Sequence, residues 1–278
     1  MDVAIYSLSL NSIRDALIHA HERGVQVRMV MESDNLDRSD PQKLKDAGIP
    51  ILGDRREGLM HDKFVVIDKS EVWMGSMNFT DSGAYTDNNN LIRIRSVKMA
   101  ENYTKEFEEM FTDDKFGADV VPETPNPRVT IDGTPIDVYF SPDDGVQASF
   151  VELVENAQES IYFMAFSFTA DAIGEAVRNR AADGVTVAGV METDQVNSNI
   201  GTEFDLFSQA GLDVYQDANP GQMHHKVMII DQNVVIFGSY NFTNSAETRN
   251  DENLLVIYNA DIAAQFIVEF QRVYALTR

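Results

Sequence analysis

Short apolar runs alternate with amphipathic stretches along this chain, and the same order occurs twice. In the first copy, residues 3–8 and 25–31 form apolar, β-branched runs that predict strands. Between them, apolar positions recur at helical spacing, so we expect a helix capped by Asn11 or Ser12 and ended by Gly24 at the C′ position. The apolar face of that helix comprises Ile13, Ala16, Leu17 and Ala20.

The remainder of the first copy continues this alternation. The pattern predicts a helix over 40–47 that stops at Gly48, strands over 64–67, 72–74 and 91–94, and a helix over 98–111. The second copy repeats the series, with Gly184 and Gly211 in the places of Gly24 and Gly48. Strands that alternate with helices predict an α/β fold with buried sheets.

The repeat divides the chain into two halves and a connector. We predict a first half over 1–112, an extended connector over 113–136 and a second half over 137–278. The connector holds four prolines: Pro122, Pro125, Pro127 and Pro135. Residues 137–160 predict a strand and a helix for which the first copy has no counterpart. We therefore expect an N-terminally truncated first half rather than a family variant, with any signal peptide upstream, so the sequence leaves localisation open.

Charge and composition exclude or disfavour several kinds of function. The chain has 278 residues, with 22 Lys and Arg against 45 Asp and Glu, giving a net charge of −23. This acidity disfavours a non-specific nucleic-acid binder, although solubility or adaptation to high salt explains it more simply. With no cysteine, disulfides and thiolate chemistry are excluded. No apolar run approaches the ~20 residues that a membrane-spanning helix needs.

Two copies of one motif carry the candidate chemistry. They are His61-x-Lys63-x4-Asp68 and His224-x-Lys226-x4-Asp231, each followed by a Gly-Ser-x-Asn-Phe-Thr segment. Side chains alternate along a strand, so each His and Lys pair should point into one pocket, while Asp62 and His225 face the other way. The candidate hydrogen-bond donors after the motifs are Ser76, Asn78, Ser239 and Asn241.

In these motifs the chain resembles the phospholipase D superfamily over nearly its whole length, apart from the connector. The resemblance implies two α/β/α halves with mixed sheets, related by a pseudo-two-fold axis with the catalytic cleft at their interface. One His would attack the phosphodiester and form a phosphohistidine, and the other would act as general acid and base. Both Lys, both Asn and both Ser would bind the phosphate oxygens, without a metal or other cofactor.

The two histidines differ in the group expected behind them. In such proteins an acidic or amide side chain follows the motif Asp by about twenty residues, which places Glu252 behind His224 and Asn89 behind His61. A carboxylate favours the imidazolium form and an amide does not. We therefore predict His61 as the nucleophile and His224 as the general acid. Asp68 and Asp231 should be structural partners of nearby donors.

The sequence indicates the type of reaction more clearly than it indicates the substrate. We favour phospholipid hydrolysis to phosphatidic acid. The alternatives are a metal-independent endonuclease, a phosphatidyltransferase and a scaffold on an inactive phospholipase D fold, which the intact His and Lys residues oppose. Since each half supplies one His and one Lys, we expect a monomer that contains an intrachain pseudo-dimer.

Overall fold

A computed structural model describes residues 1–277, which form two mixed α/β halves, each built on its own sheet. The first half contains β1 (Asp2–Ile5), α1 (Asn11–Glu22), β2 (Arg28–Met31), α2 (Ser39–Asp46), β3 (Ile51–Gly53), β4 (Lys63–Ile67), β5 (Glu71–Gly75), α3 (Asp81–Tyr85), β6 (Leu91–Arg95) and α4 (Val97–Phe111). Its strand order is β3-β2-β1-β4-β5-β6.

The second half repeats this order and extends it. It contains β7 (Arg128–Ile131), β8 (Thr134–Ser141), α5 (Val146–Glu155), β9 (Ser160–Ala165), α6 (Asp171–Ala182), β10 (Thr186–Met191), α7 (Thr193–Ser198), α8 (Glu203–Gln209), β11 (Asp213–Gln216), β12 (Lys226–Ile230), β13 (Val234–Gly238), α9 (Asn244–Thr248), β14 (Glu252–Tyr258) and α10 (Ala260–Ala275). Its strand order is β11-β10-β9-β12-β13-β14-β8-β7. Single 3-10 turns lie at Ser33–Asn35 and Gly117–Asp119.

Both sheets are mixed, as the sequence predicted. Strand β1 is parallel to β2 and antiparallel to β4, and β9 relates to β10 and β12 in the same way. The motif strands β4 and β12 therefore occupy equivalent central positions. The predicted fold class, two α/β halves with mixed sheets, is confirmed.

The hydrophobic core is continuous across the two halves. One cluster joins Phe64 and Phe107 of the first half to Phe140, Val227 and Phe270 of the second, with α4 and α10 packed between the sheets. The opposite faces are covered by α1 and α2 in the first half and by α5, α6 and α8 in the second. Tyr103 of α4 packs edge-on against Phe64 at 4.9 Å and against Phe140 of β8 at 5.0 Å between ring centroids, so apolar burial by α4 helps to fix how the halves meet.

Three local expectations differ from the structure. The N-cap of α1 is Leu10 without a side-chain hydrogen bond, so neither Asn11 nor Ser12 caps it. The segment predicted as connector includes β7, which pairs with β8 because Asp132 and Gly133 adopt the positive φ values that a tight turn requires. The buried sheets that the alternation predicts would bury β4 throughout, but Val65 on its α1 side and Ile67 are only partly covered, whereas β12 is fully buried.

No helix within the described residues combines the length and apolar character needed to cross a bilayer.

Candidate active site

The two motif histidines, His61 and His224, lie where the two halves meet. His61 and His224 directly precede the motif strands β4 and β12 rather than lying within them. The His61 backbone N–H donates to the carbonyl of Asp251 at 3.0 Å, and the His224 N–H donates to the carbonyl of Asn88 at 2.9 Å. Each histidine is therefore held by the backbone of the opposite half, in a reciprocal arrangement typical of two-fold symmetry.

Glu252 and Asn89 contact the opposite histidines from those predicted. His61 Nδ1 lies 2.7 Å from Glu252 Oε2, and His224 Nδ1 lies 2.9 Å from Asn89 Oδ1. The expectation that Glu252 backs His224 and Asn89 backs His61 was wrong. It assumed that partners lie in the same copy, but the backbone contacts between halves bring each orienting residue to the other copy's histidine.

Hydrogen bonds on Asn89 define the tautomer of His224. Asn89 Nδ2 donates to the carbonyl of Gly83 at 3.0 Å, so Oδ1 faces the ring and accepts from His224 Nδ1–H. The Glu252 carboxylate is an acceptor for His61 Nδ1–H when it is ionised. In both rings Nε2 is consequently the nitrogen left for chemistry.

Ser76 and Ser239 support the orienting residues instead of the phosphate. Ser76 Oγ donates to Asn89 Oδ1 at 3.0 Å and accepts from the Asn90 N–H at 3.1 Å. Ser239 Oγ accepts from the Asn253 N–H at 3.0 Å, and its hydrogen bond to Glu252 lowers that residue's pKa. Both serines are fully buried behind the histidines, so their sequence-based assignment to the phosphate is corrected.

Two buried lysines place positive charge beside the histidines. Lys63 Nζ donates to the carbonyl of His61 at 2.6 Å, and Lys226 Nζ donates to that of His224 at 2.9 Å. Burial lowers the pKa of Lys63 to about 7, against the attraction of Glu252, and burial also lowers the pKa of Lys226. These ammonium groups are poorly solvated, which makes an anion a favourable ligand.

The histidines share this electrostatic environment. Burial lowers the pKa of both His61 and His224, and the charges on Lys63 and Lys226 lower both further. Because each half holds the other half's histidine and each lysine bonds the carbonyl of its own histidine, the four side chains gather at the junction of the halves. Burial raises the pKa of Glu252 to about 8, while both lysines oppose the shift.

Two asparagines follow the motif hairpins, as the sequence placed them. Asn78 and Asn241 come after β5 and β13 and are partly exposed. Their buried Oδ1 atoms have no hydrogen-bond partner within the described residues. Their assignment to the phosphate stays a prediction.

Sequence reasoning missed a pair of aromatic residues in the site. The Tyr6 ring packs edge-on against His61 at 5.2 Å between centroids and lies 5.3 Å from Lys63 Nζ. Phe166 contacts His224 at 4.6 Å and lies 4.4 Å from Lys226 Nζ. The signal was their shared place in the repeat: each directly follows the strand that pairs with the motif strand, β1 or β9, and precedes a serine.

Two buried glutamates, Glu32 and Glu192, were also not predicted from the sequence. Glu32 Oε2 accepts the Met60 N–H at 3.1 Å, and Glu192 Oε2 accepts the Met223 N–H at 2.6 Å. Burial raises the pKa of both carboxyls to about 7. They hold the backbone just before each motif histidine, and the repeated Met-Glu-x-Asp segment was the available signal.

The motif aspartates lie away from the cluster and differ from each other. The Asp231 carboxylate accepts backbone N–H groups of Gln158, Glu159 and Ser160 at 2.7 to 3.1 Å. Burial alone would raise its pKa, but these hydrogen bonds lower it below the usual value. Asp68 makes no comparable hydrogen bond within residues 1–277, so only Asp231 has the structural role expected of both.

Asp62 and His225 point away from the cluster, as their alternation predicted. Asp62 accepts from Asn253 Nδ2, and His225 bonds Asn90 and Glu269 at 3.1 and 3.0 Å. Within the described residues, no group of three or more His, Asp or Glu side chains has the arrangement of a metal site.

Known proteins match this chain in both halves. The family model described as "Cardiolipin synthase, PLD-like domain" matches residues 1–111 and 150–274. A "Phospholipase D" from Rickettsia prowazekii is 35% identical over 132 residues, which are 48% of this chain and 64% of that protein. The human "Mitochondrial cardiolipin hydrolase" is 36% identical over 118 residues, 42% of this chain and 46% of that protein. The matches thus span about half to two-thirds of these curated relatives.

One solved structure has the same arrangement along the whole chain. The phosphatidylserine synthase of Haemophilus influenzae aligns with 99% of this chain and 80% of its own, with a TM-score of 0.70 and 12% identity. At that identity the likeness concerns the fold alone, with its two repeated halves.

Proposed function

Because this chain belongs to the family of PLD-like domains, within the phospholipase D superfamily, we propose that it hydrolyses phospholipid phosphodiesters through a phosphohistidine intermediate, releasing phosphatidic acid. The observation that carries the proposal is the cluster of two histidines and two lysines at the interface, with each histidine fixed through Nδ1. The names of the curated relatives support a lipid substrate.

The first step forms a bond between His61 Nε2 and phosphorus and breaks the bond from phosphorus to the leaving alcohol oxygen. His224 donates its Nε2 proton to that oxygen. Lys63, Lys226, Asn78 and Asn241 stabilise the negative charge on the non-bridging oxygens. In the second step His224 takes a proton from water, the water oxygen bonds to phosphorus, and His61 leaves as a neutral ring.

The observed pairing of Glu252 with His61 and of Asn89 with His224 also supports His61 as the nucleophile, but for a different physical reason. Attack converts neutral His61 into a positively charged phosphoimidazolium, which the Glu252 carboxylate stabilises as the charge develops. His224 loses positive charge in the same step, and the neutral Asn89 behind it leaves its imidazolium the stronger acid. The carboxylate thus lies behind the ring that gains charge.

Two measurements test the proposal. Hydrolysis of phosphatidylcholine vesicles and of single-stranded DNA is compared in parallel, with and without chelator. Lipid hydrolysis that persists in chelator is the expected result; cleavage of DNA alone would favour the endonuclease, and loss of activity in chelator would contradict the proposed chemistry. Acid-labile label trapped from a radioactive substrate should map to His61, and label on His224 would reverse the assignment.

A further inference from the structure

The residue between the His and the Lys of each motif contacts the opposite half of the molecule. His225 Nδ1 lies 3.1 Å from Nδ2 of Asn90 in the first half, and Asp62 accepts from Nδ2 of Asn253 in the second. His225 is 1% exposed and Asp62 is fully buried, so both contacts lie inside the junction. The two contacts are equivalent in the repeat, since Asn90 and Asn253 each directly follow an orienting residue.

Each orienting residue and the residue after it form a pair of contacts with the opposite half. Asn89 accepts from His224, and the next residue, Asn90, bonds His225. Two consecutive residues of one half therefore hold two consecutive residues of the other. The equivalent contacts at the second motif are those of Glu252 with His61 and of Asn253 with Asp62. One contact leaves an orienting side chain free to pivot about its partner, whereas two adjacent contacts fix its direction.

Asn90 and Asn89 are connected through a serine as well as through the chain. The Asn90 N–H donates to Ser76 Oγ at 3.1 Å, and Ser76 Oγ donates to Asn89 Oδ1 at 3.0 Å. Within residues 1–277 the bond to His225 is the one that holds the Asn90 amide, because its Oδ1 has no hydrogen-bond partner. A shift of Asn90 would therefore displace the group that accepts from His224 Nδ1–H.

Hydrogen bonds define the tautomer of His225. The Asn90 Nδ2 group can only donate, so His225 Nδ1 accepts and carries no proton. The ring proton lies on Nε2, which donates to Glu269 Oε1 at 3.0 Å. Glu269 in turn accepts two hydrogen bonds from Arg272, both of 2.7 Å. Helix α10 thus holds the ring in the orientation in which it accepts from Asn90.

We propose that Asp62 and His225 are positioning residues: each binds the side chain that follows the orienting residue of the opposite half, and thereby sets how that orienting residue meets the motif histidine. The inference goes beyond the proposed function, which gives these two residues no part, and rests on it only where turnover is measured. Loss of either contact should lower kcat and leave KM nearly unchanged, because the residues proposed to bind the phosphate stay in place.

Two substitutions separate the two hydrogen bonds of His225. The short amide of His225→Asn takes the place of Nδ1 and keeps an acceptor for Asn90, whereas the longer His225→Gln reaches the place of Nε2 and keeps only the contact with Glu269. We expect His225→Gln to lower kcat for bis(p-nitrophenyl) phosphate about tenfold, and His225→Asn to restore most of it. Equal kcat values in the two variants, with equal losses of melting temperature, would mean that His225 only packs.

A double-mutant cycle assigns the effect to the bond itself. Asn90→Ala removes the same bond from the other half and serves as the second variant if His225→Gln folds poorly. We expect Asn90→Ala to lower kcat by a similar factor, and the double variant to be no slower than either single one. Losses that multiply in the double variant overturn the proposal. The matched pair at the other motif is Asp62→Asn, which keeps an acceptor for Asn253, and Asp62→Leu, which removes it; the same order of kcat is expected.

The His224 Nδ1–H proton provides a readout that does not need turnover. In protein labelled with isotopic histidine, its NMR signal is assigned by its absence from His224→Gln. The signal should persist in His225→Asn and be lost to exchange with water in His225→Gln; an unchanged signal in His225→Gln overturns the proposal. If the wild-type protein cleaves neither bis(p-nitrophenyl) phosphate nor phosphatidylcholine, the proposed function fails, and this comparison still decides whether His225 positions the partner of His224.

Discussion

At the scale of single residues, the site is an asymmetric pair made from a symmetric repeat. The motif residues are the same in both copies, yet Glu252 backs one histidine and Asn89 the other. Both groups accept from Nδ1–H, but only the Glu252 carboxyl group can ionise. In the proposed displacement at phosphorus, this difference assigns distinct roles to the two rings.

The pH dependence of catalysis should report the group behind His224. The general acid is active when protonated, and burial lowers the pKa of His224, so kcat/KM should fall as the pH rises through that lowered pKa. Asn89→Asp places a carboxylate behind the ring, which raises its pKa and should move the alkaline limb of kcat upward by about one pH unit. Steady-state pH profiles check this; a downward shift would contradict the role of His224 as acid.

At the scale of elements, hydrophobic periodicity predicted the longer strands and helices but missed the short elements β3 and α3, and it did not predict which elements pack together. Strands β4 and β12 have similar sequences, so their burial looked equal. Val65 is only partly covered, because α1 and α2 cover this face of the first sheet without a further helix in the place that α5 takes on the second sheet, among residues 1–277. The pairing of β7 with β8 could not be predicted from periodicity either, because it depends on a turn inside a proline-rich segment.

Asp231 should stabilise the second half in a way that Asp68 does not stabilise the first. Asp231 holds three backbone N–H groups before β9, and both aspartates have the same φ of 51°, so the backbone cost of alanine is common to both. We expect Asp231→Ala to lower the free energy of unfolding by about 2 kcal/mol more than Asp68→Ala. Because hydrogen bonding lowers the Asp231 pKa, this contribution is complete above pH ~4 and is lost on acidification, so urea unfolding is measured at pH 7. Equal losses would mean that the three hydrogen bonds add nothing.

At the scale of the whole molecule, the candidate site is assembled by the contact between the halves. The motifs, their residue types and the interface position of the cleft could be read from the sequence. The identity of each histidine's partner could not, because it depends on how the chain crosses between halves. Isolated bridges join Met60 to Asp251 and Asn88 to Met223, and these carry the exchange of partners.

Crowding at this junction should reduce activity more than stability. A Cβ at Gly58 would lie 2.1 Å from the carbonyl oxygen of Arg249, and that contact is three residues from both His61 and Glu252. Gly58→Ala must therefore displace one half relative to the other, and a misplacement of about 1 Å should lower kcat about 100-fold. Gly184→Ala is the control: its φ of +97° makes alanine strained, but no atom lies within 4 Å, so it should lower the melting temperature and leave kcat unchanged. Kinetics and thermal unfolding of both variants decide the point, and a normal kcat in Gly58→Ala would show that the exchanged partners tolerate movement between the halves.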